Sequence, residues 1–202
     1  MTLTQFAGWS GLCIGAWIAS TMLLAQPVAR ESEPHAAGVA VSQPQVEKIR
    51  RRTSTFARSR LIIPIANVAP GALTDTWGAA RSEGRSHEGI DIMAPMGTPV
   101  RAVADGRIVK FFESVRGGVT IYQFDTSERF VYYYAHLSSR AVGLAEGDVV
   151  EQGDVIAFVG MSGNAPAPHL HFEIQRLTPT RHWWEAESMN PYPLLVAGRA
   201  PD

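Results

Sequence analysis

The sequence predicts a mainly β protein: a single domain of antiparallel sheets in a barrel-sandwich-like arrangement, preceded by a hydrophobic N-terminal helix and a stalk. Beyond the N-terminal segment, no apolar pattern keeps the 3.6-residue period of an amphipathic helix. Short β-branched and aromatic runs alternate with turn residues, and the 202 residues include 18 Gly and 13 Pro. A Gly-Asp-Val unit occurs at residues 147–149 and again at residues 153–155, which is typical of short strands joined by tight turns.

The composition excludes several classes of protein. A net charge of -1 gives no reason to expect a nucleic-acid partner. The single cysteine, Cys13, rules out an intramolecular disulfide framework and a CxxC-type zinc ribbon. Lipidation of Cys13 is not expected, because Leu12 stands where a lipoprotein box needs a small residue. Any metal must therefore be held by histidine and carboxylate side chains.

The N-terminal segment, residues 1–29, has no charged side chain. Twenty helical residues span about 30 Å, so residues 6–25 are long enough to cross a bilayer. A cleaved signal peptide is the alternative, but a basic n-region and small residues at -3 and -1 are missing. We therefore favour an uncleaved anchor. The basic run at residues 50–52 favours keeping the following chain on the cytoplasmic side of a membrane, which conflicts with export of the domain. We therefore decide the side from the chemistry of the folded domain.

Three further regions complete the predicted organisation. Residues 30–60 are polar and contain prolines, which predicts a linker or stalk. Residues 61–195 form the folded domain, and residues 196–202 are a tail. The predicted strands, in order, cover residues 100–104, 106–111, 119–124, 129–138, 149–150, 155–160 and 169–174.

Alternation in the fourth of these strands assigns its side chains to two faces. Tyr132, Tyr134 and His136 are predicted on one face, with Tyr133 on the other. A pair of tryptophans, Trp183 and Trp184, follows the last strand, and we expect it to cover the core.

The last strand, with the sequence HLHFEI at residues 169–174, carries two histidines. Alternation sends its leucine, phenylalanine and isoleucine into a core, while both histidines and the glutamate share the opposite face. Two imidazoles on adjacent positions of one face suit a metal site or an acid–base pair. With only 6 His in the chain, such a pair arises by chance in roughly one sequence in seven. The pair alone therefore does not establish a site.

An earlier segment offers two more donors, His87 and Asp91. Both side chains can face one point, either along an extended segment or around a turn at Gly89. A neutral imidazole and a carboxylate are both good zinc donors. Considered alone, a surface histidine and a turn aspartate explain the segment equally well.

Three separated motifs together form a specific pattern: HEGID at residues 87–91, YAHL at residues 134–137 and HLHFE at residues 169–173. With the Gly-Asp-Val strands between them, their order and spacing resemble the lysostaphin-type (LytM-like) zinc metallopeptidases that cut peptidoglycan peptides. The resemblance runs from residue 61 to residue 195 and includes the segments DIMAPMGTPV and NPYP. It implies that residues 61–195 are a zinc metallopeptidase domain.

The resemblance also implies roles for five residues. The zinc ligands are His87, Asp91 and His171, and the two non-ligand histidines of the family match His136 and His169. Three protein ligands and one water form a catalytic rather than a structural zinc arrangement. The two non-ligand histidines can accept the proton of the water or stabilise the developing oxyanion, and both assignments stay open.

The function implied by the resemblance is hydrolysis of peptide cross-links or stem peptides of bacterial peptidoglycan by metal-activated water. This substrate places the domain in the cell envelope, on the periplasmic or extracytoplasmic side, anchored to the inner membrane by residues 6–25. The alternative is a non-catalytic zinc-binding scaffold of the same fold that activates a partner cell-wall hydrolase. The intact His136 and His169 argue against the scaffold.

Three secondary interpretations follow from the same strands. A carrier module for biotin or lipoate needs a lysine at a hairpin tip, but Lys110, the only lysine of the domain, lies inside a predicted strand. Glu173 is either hydrogen-bonded to a ligand imidazole or a solvated strand residue. The loops that would choose the peptide bond are residues 81–86 and residues 162–168.

Overall fold

The computed structural model describes residues 60–202. The predicted anchor and the predicted stalk, apart from its last residue, lie outside the described residues. Within the described part of the chain, no helix combines the length and the apolar character needed to cross a membrane.

Nine strands form one antiparallel sheet, which confirms the predicted mainly β, single-domain fold. The strands are β1 (Ile90–Met93), β2 (Pro99–Arg101), β3 (Gly106–Ser114), β4 (Gly118–Asp125), β5 (Phe130–Arg140), β6 (Val149–Val150), β7 (Val155–Val159), β8 (His169–Leu177) and β9 (Ala186–Met189). The main path runs β1-β8-β5-β4-β3-β6, while β9 pairs with β8, and β7 pairs with both β2 and β5. One short α-helix, α1 (Tyr192–Ala197), follows the last strand and was not predicted.

The apolar core takes its central side chains from β5 and β8. The three apolar residues of the HLHFEI stretch are fully buried, as alternation predicts. Tyr134 of β5 lies among them, and its hydroxyl donates to Gln123 Oε1 (2.8 Å) and accepts from the Val103 amide (3.0 Å). Because this buried hydroxyl has both partners, burying it costs little.

The two Gly-Asp-Val units form the same turn twice, immediately before β6 and within the β6–β7 connection. The carboxylates of Asp148 and Asp154 each accept the amide of the residue three positions earlier, at 2.8 and 2.9 Å. The glycine before each aspartate has a positive φ, 99° at Gly147 and 97° at Gly153. Such φ values favour glycine, which explains why the unit repeats with this residue.

The end of β5 differs from the prediction. Alternation placed His136 with Tyr132 and Tyr134, but both tyrosines are buried in the core, whereas His136 lines an open cleft together with Tyr133. His136 has a φ of 60°, and at this point two residues of β5 oppose Thr120 alone. This β-bulge rotates the histidine onto the face that alternation assigned to Tyr133. The strand also continues past the bulge to Arg140.

The two tryptophans have different environments. Trp183 packs against Tyr122 in a small apolar cluster, with ring centroids 4.7 Å apart. Trp184 is 61% exposed and stacks on His182, with centroids 4.5 Å apart and planes at 15°. The prediction that the pair covers the core therefore holds for packing by Trp183 and is wrong for Trp184.

Candidate metal centre and active-site cleft

A cleft of about 430 Å³ opens on the face of the sheet opposite the apolar residues of β8. Its walls come from three loops, at residues 81–88, 116–117 and 164–167, and from side chains of β1, β5 and β8. The volume is in the range of ligand-binding clefts. All five residues that the resemblance singles out line it: His87, Asp91, His136, His169 and His171.

Thr76 holds His87 and Asp91 in place. His87 Nδ1 contacts the Thr76 carbonyl oxygen at 2.8 Å, and the Asp91 amide donates to Thr76 Oγ1 at 3.0 Å. Donation from Nδ1 leaves a lone pair on Nε2 of the neutral imidazole. Between them, Gly89 passes so close to β8 that a Cβ would overlap the Phe172 carbonyl oxygen. Only glycine therefore lets this segment bring both donors against β8.

His171 lies directly opposite Asp91 in the β1–β8 pairing. Its Nε2 is 2.7 Å from Glu173 Oε1, so this nitrogen carries the hydrogen and Nδ1 is free. Nδ1 lies 2.8 Å from His87 Nε2 and 3.2 Å from Asp91 Oδ1, and the latter two atoms are 3.1 Å apart. Three donor atoms from two strands and one loop thus meet at one point.

These three donors fit a zinc ion. Two imidazole nitrogens and one carboxylate oxygen are typical zinc ligands, and tetrahedral coordination at 2.0–2.2 Å separates donors by roughly 3.3 Å. The observed separations of 2.8 to 3.2 Å approach this value. In addition, His87 Nε2 and His171 Nδ1 face each other at 2.8 Å, a separation that a cation between them stabilises, either a metal ion or, in its absence, a proton. The group can therefore hold a metal ion.

His136 and His169 lie beside this donor set. Each donates its Nδ1 hydrogen to a backbone carbonyl at 2.8 Å, that of Ser162 and that of Ala167 respectively. Both Nε2 atoms are therefore free, and His169 Nε2 is 3.5 Å from Asp91 Oδ1. The two rings are close, with centroids 4.8 Å apart. The cleft thus contains a pair of imidazoles that are available for proton transfer.

Burial and hydrogen bonding shift the pKa values in the cleft. Burial alone would raise the pKa of Asp91, but the three imidazoles around its carboxylate, those of His169, His171 and His87, outweigh burial and hold this pKa well below its ordinary value. Burial lowers the pKa of His136 to about 4, although its hydrogen bond to the Ser162 carbonyl opposes the shift. At neutral pH, Asp91 is therefore an anion that attracts a cation, and His136 is an uncharged base.

His171 shows that its position favours positive charge. Burial lowers the pKa of this imidazole, but the carboxylates of Asp91 and Glu173 outweigh burial and raise the pKa to about 9. The carboxylates of Asp91 and Glu173 would likewise favour a metal ion bound at His171 Nδ1.

Glu173 and Arg81 each hydrogen-bond one of the metal donors, His171 and Asp91 respectively. Glu173 is only 6% exposed and bonds His171, Gln175 and Ser188, so it is not a solvated strand residue. Arg81 Nη2 lies 2.5 Å from Asp91 Oδ2, the oxygen that points away from the imidazoles.

Sequence reasoning missed Thr76 and identified Arg81 only as the edge of a loop. The partners of Thr76 and Arg81 in the centre lie 10 to 15 residues away along the chain. No spacing rule connects residues in irregular loops over such distances, so the sequence offered no signal for either.

The part of the chain that carries the candidate metal donors is similar to known proteins. The profile of Peptidase family M23 matches residues 85–191. The chain is 37% identical over 131 residues to the L-Ala–D-Glu endopeptidase of Bacillus subtilis, covering 60% of this chain and 39% of that protein. It is 48% identical over 93 residues to the DD-carboxypeptidase/endopeptidase Mpg of Neisseria meningitidis, covering 44% of this chain and 20% of that protein. The chain thus spans less than half the length of either relative.

A solved structure supports the fold. The catalytic domain of the antimicrobial peptidase lysostaphin from Staphylococcus simulans superimposes with a TM-score of 0.53 at 29% identity. The superposition covers 62% of this chain and 94% of that domain. The predicted resemblance is confirmed, because the family profile matches more than half of the sequence: the chain belongs to Peptidase family M23.

Proposed function

We propose that this chain is a zinc-dependent endopeptidase that hydrolyses cross-links or stem peptides of bacterial peptidoglycan. The observation that carries the proposal is the convergence of His87, Asp91, His136, His169 and His171 in one cleft. The outer nitrogen of each histidine is hydrogen-bonded, so the inner nitrogen faces the centre. The relatives named after L-Ala–D-Glu and DD bonds support a peptidoglycan stem as the substrate.

Three residues would hold the zinc ion: His87 through Nε2, Asp91 through Oδ1 and His171 through Nδ1. When bound, zinc polarises the scissile carbonyl and lowers the pKa of a water from 15.7 toward about 7. Arg81 and Glu173 orient two of these ligands from outside, as supporting residues commonly do in metal sites.

His136 and His169 would transfer the proton of the attacking water and stabilise the oxyanion. Because its pKa is lowered, His136 is uncharged at neutral pH and can accept a proton at Nε2 from the attacking water. The same nitrogen can then return the proton to the leaving amine. His169 presents a second Nε2 on the same side of the centre, so one imidazole can transfer the proton while the other donates to the oxyanion.

A peptidoglycan substrate places the domain in the cell envelope. Membrane anchoring through residues 6–25 remains a prediction from the sequence. An anchor with a stalk would confine the enzyme to wall material within reach of the bilayer. Cell fractionation tests this: a mature protein that is soluble and N-terminally trimmed would contradict it.

The direct test is to incubate the purified protein with isolated peptidoglycan, with and without a chelator, and to identify released fragments by mass spectrometry. We expect peptide fragments that disappear with the chelator and return when zinc is added. A protein that binds zinc but releases nothing would contradict the proposal and favour the scaffold that activates a partner hydrolase.

A further inference from the structure

Three arginines line the cleft: Arg81, Arg85 and Arg116. Two of them have close carboxylate partners within the chain. Arg81 pairs with Asp91 at 2.5 Å, and Arg116 pairs with Glu83 at 2.5 Å. Their charges are thus largely matched inside the protein, which leaves Arg85 as the arginine with the weakest internal partners.

Arg85 has only distant polar contacts. Its Nη2 lies 3.4 Å from Ser82 Oγ, and its Nε lies 3.8 Å from Glu83 Oε2, a carboxylate oxygen already bound to Arg116. Among the described residues, the Nε atom of Arg85 is one of three buried side-chain nitrogens without a hydrogen-bond partner. Of these three nitrogens, it is the one whose side chain lines the cleft. The Nε atom itself is enclosed, but the Arg85 side chain as a whole is 38% exposed, so its terminal N–H groups can reach a partner in the cleft.

The backbone places Arg85 close to the metal centre. Arg85 is extended, with φ -81° and ψ 157°, and its carbonyl accepts the Arg81 amide at 2.9 Å. Ser86 pairs with Ala80 in an isolated bridge, and the His87 amide donates to the Ala79 carbonyl at 2.9 Å, so residues 85–87 are extended against residues 79–81. Alternate residues of a strand point to one side and are about 6.5 to 7 Å apart. Arg85 therefore lies on the same side of this segment as His87, and both side chains line the cleft.

We propose that Arg85 binds a free carboxylate of the peptide substrate, so that the enzyme prefers stem peptides with free carboxylates over peptides without them. This inference rests on the proposed function and adds a specificity-determining residue to it. A guanidinium presents parallel N–H donors that match a carboxylate in a bidentate pair. Glu88 also lines the cleft. A substrate carboxylate can nevertheless bind Arg85 at two points without displacing a carboxylate of the protein from a close partner.

The test uses two soluble stem-peptide dimers that differ only in their carboxylates, which are free in one dimer and converted to carboxamides in the other. For the wild-type enzyme, kcat/KM should be roughly 10- to 100-fold higher on the acidic dimer, the usual effect of one charge-assisted pair. Arg85→Gln should bring this ratio close to one, and Arg85→Lys should retain part of it. Zinc binding should be unchanged in both variants, which distinguishes substrate recognition from damage to the centre.

The matched control is Arg129→Gln, because Arg129 is exposed and lies outside the cleft. It should leave the acid-to-amide ratio as in the wild type. A wild-type ratio that persists in Arg85→Gln would overturn the inference while leaving the proposed function intact. Wild-type enzyme that cleaves neither dimer, with zinc bound, would contradict the proposed function itself.

Discussion

Two strands deliver histidines to the cleft by different means. β8 is regular where it carries His169 and His171, and its pairings with β1 and β5 run without a shift in register. β5 delivers His136 through a bulge, with a non-glycine φ of 60°. Left-handed backbone at such a residue costs on the order of 1 kcal/mol or more and persists only where surrounding contacts enforce it.

The contacts around His136 show what enforces the bulge. Its amide donates to the Gly117 carbonyl at 2.8 Å, and its Nδ1 donates to the Ser162 carbonyl at 2.8 Å. Ser162 in turn donates to the Leu137 carbonyl at 2.7 Å and accepts from the Val119 amide at 2.9 Å. The position of His136 thus depends on loops, whereas that of His171 depends on a regular strand.

The largest effect should come from removing one of the metal donors that lie on the regularly paired strands β1 and β8. His171→Ala or Asp91→Ala should lose zinc and activity together, because two donors do not hold the ion in a catalytic site. Zinc content after dialysis and fragment release from peptidoglycan measure the two losses. His182→Ala is the control, since that histidine is exposed and lies outside the cleft. Stoichiometric zinc in His171→Ala would disprove the ligand assignment.

The next effect tests the histidines that do not serve as ligands. His136→Ala and His169→Ala should each keep zinc but lower the rate by about 10²-fold or more, the usual size of an acid–base or oxyanion contribution. Single-turnover rates at saturating zinc provide the measurement. Near-normal turnover in either variant would remove that residue from the mechanism.

A smaller effect should follow from disturbing the support of the bulge. Gly163 has a φ of 72°, and a Cβ there would overlap the Arg116 carbonyl oxygen, so Gly163→Ala should displace the neighbouring Ser162 carbonyl. We expect about a tenfold loss of activity with zinc retained, because His136 loses its orientation while the ligands stay in place.

Gly143→Ala is the matched control for this variant, with a φ of 83° but open space around its Cβ. Both substitutions carry the backbone penalty of a positive φ, which is about 1 kcal/mol. Only Gly163→Ala should lose activity beyond its loss of stability. Equal activity in the two variants would show that His136 does not need the loop.

The last prediction concerns the effect of pH on stability, not activity, through the buried imidazole of the bulge. The pKa of His136 falls from 6.5 to about 4 on folding, so between these values the unfolded chain binds a proton that the folded chain does not. The stability of the metal-free protein should therefore decline as the pH falls from 6.5 toward 4, by at most about 3 kcal/mol from this group.

His136→Gln should remove this contribution. Urea unfolding at pH 7 and pH 4.5 would show it as a smaller acid-induced loss in the variant than in the wild type. Identical losses in both proteins would mean that His136 titrates normally in the fold.

The two strands β8 and β5 also show where side-chain faces can be predicted from the sequence and where they cannot. The burial of Leu170, Phe172 and Ile174 followed from a period of two, and the opposite face of β8 followed with it. The predicted face of His136 was wrong because a bulge shifts the alternation of side chains by one residue. No residue type at this position indicates a bulge. The family resemblance still singled out His136 as a site residue, since the resemblance depends on the order of the motifs and not on faces.

The sequence by itself determined the fold class and the family, and it predicted the five residues that line the cleft together. These depend on local patterns: strand alternation, glycine turns, and histidine and aspartate at family spacings. Only the tertiary structure decided which ring nitrogen of each histidine faces the centre, since that depends on Thr76, Glu173 and the carbonyls of Ser162 and Ala167. It likewise decided that Arg81 has a close carboxylate partner at 2.5 Å, while the polar partners of Arg85 lie at 3.4 and 3.8 Å. Such contacts join residues from separate loops, and loop approach is set by packing of the whole sheet rather than by spacing along the chain.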